Sequence, residues 1–167
     1  MSAKKVILLF TALGLPIAVF LFLKFFGKNE FGVPALFQDQ VNVPPGCSAN
    51  YNVPYTLPDT LRLFRQKDNS LAGLTVVIFD ESREDRSPLG KQVNRLKEEF
   101  SEDDVSFVYA ENNEFFATLK KCVFLLNESQ SVALIDDKRR IRGLYDVGSL
   151  EEADRLMVEL KIILKKY

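Results

Sequence analysis

The chain has 167 residues, of which 47% are hydrophobic and 27% charged, and this is the composition of one ordinary globular domain with an appendage. Residues 1–30 carry four lysines against one glutamate, so the net charge of −1 for the whole chain leaves about −4 on the remainder, which excludes a nucleic-acid partner. Histidine is absent, so an imidazole general base, a His-metal site and a Ser-His or Cys-His nucleophile pair are excluded too.

The longest apolar run lies near the N terminus. Residues 6–23 contain no charge, and Phe25 and Phe26 extend the run to the roughly 20 residues of a membrane span. A cleaved signal peptide is the alternative, but its apolar region is shorter and is followed by a small-residue cleavage site. We therefore predict an N-terminal transmembrane helix, an anchor over residues 1–28 that contacts the lipid bilayer through residues 6–26.

The flanking charges suggest an orientation for this anchor. Two lysines lie at each end, and the free amine adds to Lys4 and Lys5, which favours a cytoplasmic N terminus. We expect a single-pass protein whose soluble domain is extracytoplasmic, on the periplasmic side of a bacterial inner membrane.

Residues 29–70 read as a linker. Five prolines in this stretch argue against helices and central strands. Apolar side chains such as Leu36, Phe37, Tyr51 and Tyr55 are too numerous for a solvated tether, so we expect parts of the linker to pack on the domain. A short helix or turn is predicted over residues 61–70.

A domain over residues 71–167 follows, beginning with a strand-helix-strand pattern. Residues 74–79 (LTVVIF) form a continuous β-branched and aromatic run, typical of a strand buried on both faces. Ser87 and Pro88 predict an N-cap and first turn, and apolar residues at helical spacing continue the helix to about Phe100. Residues 105–110 (VSFVYA) give the second strand.

The remainder predicts a helix, a hairpin and a final helix. Asn112 opens a helix whose inward side chains are Phe115, Phe116, Leu119, Cys122 and Val123. Residues 131–136 and 141–147 are strands joined by the polar turn 137–140. Ser149 and Glu152 form a predicted capping box before an amphipathic helix that ends near two lysines. The order βαβαββα predicts an α/β, thioredoxin-like core.

Residues 134–166 (LIDDKRRIRGLYDVGSLEEADRLMVELKIILKK) resemble the C-terminal hairpin and helix of the Sco/SenC proteins, thioredoxin-fold copper chaperones of cytochrome c oxidase assembly. The resemblance implies a copper site made of a CxxxC motif after the first core strand and a histidine before the hairpin. Residues 80–86 (DESREDR) and 128–131 (ESQS) contain neither. No metal-binding, cofactor-binding or catalytic residue is therefore carried over, and no cofactor is expected.

The two cysteines, Cys47 and Cys122, are too far apart in sequence for a CxxC redox centre or a zinc knuckle. A structural disulfide that pins the linker to the second helix is one interpretation, and two separate buried thiols are the other. The basic residues Lys138, Arg139, Arg140 and Arg142 at the hairpin tip are either an anion or partner patch or a soluble turn.

The retained scaffold without its reactive residues favours a non-enzymatic role. Our leading hypothesis is an accessory or structural protein of a membrane respiratory complex or its assembly, which acts by surface contacts on a membrane protein complex. The alternative is copper delivery or thiol-disulfide exchange for cytochrome oxidase biogenesis, using Cys47 and Cys122. A stand-alone membrane protein with another partner is the third hypothesis.

Overall fold

A computed structural model describes residues 3–26, 32–48, 51–59, 61, 73–80, 84–110 and 112–165. The chain divides into two compact units, Met1–Gly32 and Val33–Tyr167. The predicted short helix or turn over residues 61–70, and the predicted start of the domain at Leu71, lie outside the described residues except for Leu61.

The first unit contains helix α1, Ala3–Phe26, which has Pro16 in its interior. The prediction of a transmembrane helix is wrong, because no helix within the described part of the chain is long and apolar enough to cross a membrane. The predicted single-pass topology and the extracytoplasmic, periplasmic location are wrong for the same reason. The contact with the lipid bilayer through residues 6–26 stays a prediction.

The second unit is built on a four-stranded mixed sheet. Its strands are β1 (Leu74–Ile78), β2 (Val105–Tyr109), β3 (Val132–Asp136) and β4 (Ile141–Tyr145). They lie in the order β2-β1-β3-β4, with β1 parallel to β2, antiparallel to β3, and β3 antiparallel to β4. Because β1 and β3 are central and buried on both faces, their sequences are mostly apolar rather than alternating, with Thr75 and Asp136 as buried polar exceptions.

Two regular helices cover one face of the sheet, which we call the helical face. Helix α2 (Pro88–Glu99) buries Val93 and Leu96, and helix α4 (Leu150–Leu164) buries Ala153, Leu156 and Leu160. These side chains pack against alternate strand residues, including Leu74, Val76 and Ile78 in β1. Their spacing of three and four residues is the amphipathic pattern seen in the sequence.

Irregular segments cover the opposite face, which we call the strap face. The strap is the described part of residues 33–61, and its Tyr55 and Leu57 are 6% and 1% exposed. Next to it lies a short helix, α3 (Phe116–Thr118), which continues into a π-helix at Leu119–Val123. Together they form a second core with side chains from β1, β3 and β4.

Two local predictions are wrong. Phe115, expected to face inward, is 64% exposed, because it is the N-cap residue before the three-residue helix α3, which buries the adjacent Phe116 instead. Ser149 does occupy the N-cap of α4, but its side chain makes no capping hydrogen bond, and Glu152 pairs with Arg155 instead (3.0 Å). The predicted capping box is therefore not formed.

Candidate functional site

The loop after β1 is the position where the Sco/SenC resemblance places copper ligands. Phe79 follows β1 as a buried residue, and its N–H donates to Ser131 O (2.8 Å). Ser131 N–H donates in turn to Tyr145 O (2.9 Å), so the residue before β3 extends the backbone pairing of the sheet. Residues 81–83 lie outside the described residues. Among those described, no group of three or more His, Cys, Asp or Glu side chains is close enough to hold a metal ion.

The rest of this loop forms the entry to α2. Glu84 O accepts hydrogen bonds from Ser87 N (3.0 Å) and Ser87 Oγ (2.7 Å), and Ser87 Oγ accepts one from Gly90 N (3.0 Å). The turn stacks so closely on the helix that a Cβ at Gly90 would overlap Glu84 O and lie 2.8 Å from Asp85 Cα. In its described part, the charged loop therefore serves to cap and start a helix.

Cys47 and Cys122 lie on the strap face, on the other side of the sheet from α2. The structure joins them in a disulfide with a Cα–Cα distance of 5.5 Å across 75 positions of sequence. Cys47 N–H donates to Pro44 O (3.1 Å), which folds residues 44–47 into a turn, whereas Cys122 belongs to the π-helix. Both cysteines are half-buried. The bond therefore fixes a turn of the strap to the helical segment beside it.

Two tyrosines of the strap reinforce this connection. Tyr51 Oη donates to Cys122 O (2.8 Å) and Tyr55 Oη donates to Val123 O (2.7 Å). These carbonyls lie at the end of the π-helix, where backbone acceptors have no partner within the helix. Burial raises the pKa of Tyr51, and burial together with the nearby Tyr51 raises the pKa of Tyr55 to about 12. Both phenols are therefore neutral donors at physiological pH.

Between the strap turn and the helical segment lies a groove with a volume of about 600 Å³. Pro44 and Pro45 form one wall. The other wall consists of Phe116, Ala117, Lys120, Lys121, Leu125, Leu126, Asn127 and Glu128. Within this second wall, Phe116, Leu125 and Leu126 are packed into the strap-face core, and we call these three residues the floor of the groove. The floor is therefore a fixed apolar surface.

The charges of the groove come from one pair of lysines and one glutamate. Lys120 Nζ donates to the backbone O of Glu128 (3.3 Å), which links two lining residues of the groove. Lys121 is exposed and has no ion pair within the described part of the chain. Leu125 adopts a left-handed backbone conformation (φ 58°), unusual for a branched side chain, and turns the chain from the π-helix toward β3.

The basic hairpin tip is a separate cluster, and its arginines are used internally. Asp136, 4% exposed, accepts from Arg140 (2.7 Å) and Arg142 (3.2 Å), and Asp136 Oδ1 also accepts from the N–H groups of Lys138 and Arg140. Arg139 pairs with Asp59 of the strap. Burial acts to raise the pKa of Asp136, but the hydrogen bonds from Arg140 and Arg142 outweigh it and hold the pKa below its usual value. The ion pairs of Asp136 therefore stabilise the hairpin turn, and the pair Arg139–Asp59 joins the turn to the strap.

The sequence patterns do not predict this groove. Its walls come from residues 44–45 and 116–128, which are separated by most of the domain, and neither segment carries a motif. The consecutive lysines Lys120 and Lys121 were the one local signal available.

Comparisons with protein-family models, with curated proteins and with solved structures find no match to this chain. The Sco/SenC resemblance and the thioredoxin-like assignment therefore stay predictions. The structure shows a mixed α/β domain whose strap face carries a groove, and a disulfide joins two segments of that face.

Proposed function

We propose that the Val33–Tyr167 unit is a non-catalytic binding module that acts through surface contacts on the strap face. The observation that carries this proposal is the position of the disulfide, which joins the two chain segments that carry the walls of the groove, next to Pro45 on one side and Lys121 on the other. A bond in that position supports a binding surface by holding the strap turn against the π-helix.

The architecture around the sulfurs supports a structural role. Reactive cysteines of thiol-disulfide exchange need a stabilised thiolate, commonly at the N terminus of an α-helix or in a Cys-X-X-Cys motif. Cys122 is the fourth residue of a five-residue π-helix, and Cys47 lies in an irregular turn. Neither position offers a helix N terminus. Copper delivery by this pair would also require reduced thiolates, whereas the structure has the two sulfurs joined in a disulfide.

The partner expected from the Sco/SenC resemblance, a respiratory complex, stays a prediction. The proposed module does not depend on it, because the groove and its disulfide are properties of this chain alone. A retained scaffold with a binding face is compatible with many partners, since function resides in the site rather than in the fold.

The test compares the wild-type chain with a Cys47→Ser/Cys122→Ser variant in two chemical assays. We expect the wild type to reduce insulin no faster than the reductant alone, and to bind Cu(I) no more tightly than the variant. Ellman titration of the unfolded, unreduced wild type should find no free thiol. Stoichiometric Cu(I) binding or catalysed insulin reduction that disappears in the double variant would overturn the proposal in favour of a chemical role.

A further inference from the structure

We propose that the groove of the strap face binds an acidic peptide segment of a partner protein, with an apolar side chain in the groove and carboxylates against Lys120 and Lys121. This inference rests on the proposed binding function and specifies the chemistry of the partner. Its support comes from the groove's floor, flanks and charge.

The floor favours an apolar side chain. Phe116, Leu125 and Leu126 are 6%, 9% and 3% exposed, so their positions are set by the core behind them. The prolines of the opposite wall, Pro44 and Pro45, have restricted backbones. A ligand group that enters between these walls meets surfaces that are already ordered, and this reduces the conformational entropy lost on binding. The volume of about 600 Å³ is that of an ordinary ligand site.

The flanks favour an extended occupant over a small molecule. Val43 precedes the proline wall and is 51% exposed, and Phe115 precedes the helical wall and is 64% exposed. Exposed large apolar side chains next to an apolar groove enlarge the surface that a partner can cover. Aromatic residues are also enriched in protein interfaces. A peptide strand, unlike a small molecule, is long enough to cover the groove and the residues next to it in sequence.

The charges favour an acidic occupant. Two lysines and one glutamate line the groove, whereas the chain outside residues 1–30 has a net charge of about −4. The groove is therefore locally basic on an acidic domain. Lys121 has no ion pair within the described residues, so its ammonium is available to a ligand. Two lysines on such a domain are too few for nucleic acid, which requires an extended basic surface.

The experiment uses the full-length oxidised chain and three fluorescein-labelled hexapeptides, DELFDE, KQLFKQ and DEGSDE, in anisotropy titrations at low ionic strength. We expect DELFDE to bind and the other two to bind on the order of tenfold more weakly, as loss of paired charge or of apolar contact predicts. Ala117→Trp, which fills the groove from an exposed position, should abolish DELFDE binding while circular dichroism shows an unchanged fold.

A matched pair of variants tests the charge. Lys121→Glu should weaken DELFDE binding about fivefold, the scale of an exposed ion pair, whereas Lys91→Glu, on helix α2 of the opposite face, should leave the affinity unchanged. Added salt should reduce the difference between the two. An equal effect of both variants would overturn the inference, because the attraction would then be a property of net charge.

Other outcomes separate the two proposals. Equal binding of DELFDE and KQLFKQ, both lost in Ala117→Trp, would overturn the acidic-partner inference and leave the binding module standing. Absence of peptide binding, together with a dimer that Ala117→Trp dissociates in sedimentation, would assign the groove to a second copy of the chain and overturn the inference. Cysteine-dependent insulin reduction would overturn the binding module itself.

Discussion

The two faces of the sheet are covered in different ways. On the helical face, α2 and α4 bury side chains at regular helical spacing and meet through surface ion pairs such as Arg95–Asp154 (2.7 Å) and Lys161–Glu99 (2.5 Å). On the strap face, an irregular chain, a three-residue helix and a π-helix are held by a disulfide and by tyrosine hydrogen bonds. Periodic packing stabilises the first face, whereas specific cross-links stabilise the second.

This difference explains why the groove lies on the strap face. Two amphipathic helices that interdigitate with a sheet leave less space, and the pocket beside α2 and β2 has a volume of about 320 Å³, roughly half that of the groove. A strap fixed at separate points, by the disulfide, by Arg139–Asp59 and by Leu36 N donating to Ile141 O (2.7 Å), leaves a cleft between those points. The four predictions below test whether the two faces depend on different interactions.

The largest effect is expected from removal of the disulfide. Cys47→Ser/Cys122→Ser should lower the free energy of unfolding by about 4 kcal/mol, because the bond closes a long loop in the unfolded chain. Hydrogen exchange should show early loss of protection at Tyr55 N and Leu57 N, which donate to Phe37 O and Arg139 O, while α4 amides stay protected. Reduction of the wild type is the control. A uniform loss of protection over both faces would contradict the comparison.

The next effect concerns packing on the helical face. A Cβ at Gly143 would overlap the phenol of Tyr145, which is fully buried and donates to Glu159 Oε2 (2.6 Å). Gly143→Ala should therefore cost about 3 kcal/mol in urea unfolding, equally in the oxidised and reduced protein. Gly73→Ala, whose Cβ would meet nothing within 4 Å, is the control and should be near neutral.

Relief of the overlap provides a second check on Gly143. Tyr145→Leu alone should destabilise the protein, because it removes a buried ring and its hydrogen bond. Combined with Gly143→Ala, the total loss should be smaller than the sum of the two single losses, since the added methyl group then has space. Simple additivity would show that the cost of Gly143→Ala has another cause.

A smaller effect tests the strap tyrosines by pH. Tyr55→Phe should cost about 1 kcal/mol at neutral pH, through loss of the hydrogen bond to Val123 O. The pKa of Tyr55 is raised in the folded state to about 12 from a usual value of 10, so its stabilisation is complete below pH 10 and is lost as pH rises toward 12. The stability difference between wild type and variant should therefore shrink over that interval.

Absorbance at 295 nm measures the ionisation of Tyr55 directly. The phenol that titrates near pH 12 should be missing from the Tyr55→Phe titration, and it should shift back toward pH 10 in Cys47→Ser/Cys122→Ser if the disulfide keeps the strap packed. An unchanged titration in the disulfide variant would show that the strap packs without its covalent bond.

The smallest effect distinguishes the two N-caps of the helical face. Ser87→Ala should cost about 1 kcal/mol, because Ser87 Oγ accepts from Gly90 N. Ser149→Ala should cost only a few tenths of that, since the Ser149 side chain makes no capping bond. Thermal unfolding of both variants under identical conditions gives the comparison. Equal losses would mean that Ser149 caps α4 in solution as its sequence predicts.

Sequence patterns located the helical face well and the strap face poorly. Residues 74–79 and 105–110 contain β1 and β2, and the residues predicted inward from α4 include the buried Ala153, Leu156 and Leu160. Sequence patterns were wrong at Phe115, which was predicted to be buried but is the exposed N-cap residue of the short helix α3. The uncharged run of residues 6–23 also led to a wrong prediction, that of a membrane span.

The sequence by itself determined the strands, their polar connections and the helices α2 and α4, because short apolar runs and the helical spacing of apolar residues reflect burial within each segment. It left the state of the cysteines open between a disulfide and two buried thiols. Only the tertiary structure decided that Cys47 meets Cys122, that Tyr51 and Tyr55 reach the π-helix, and that Pro44 and Pro45 face Lys120 and Lys121 across a groove. These contacts join segments about 70 positions apart, and no local pattern of residues encodes which distant surface an irregular chain will meet.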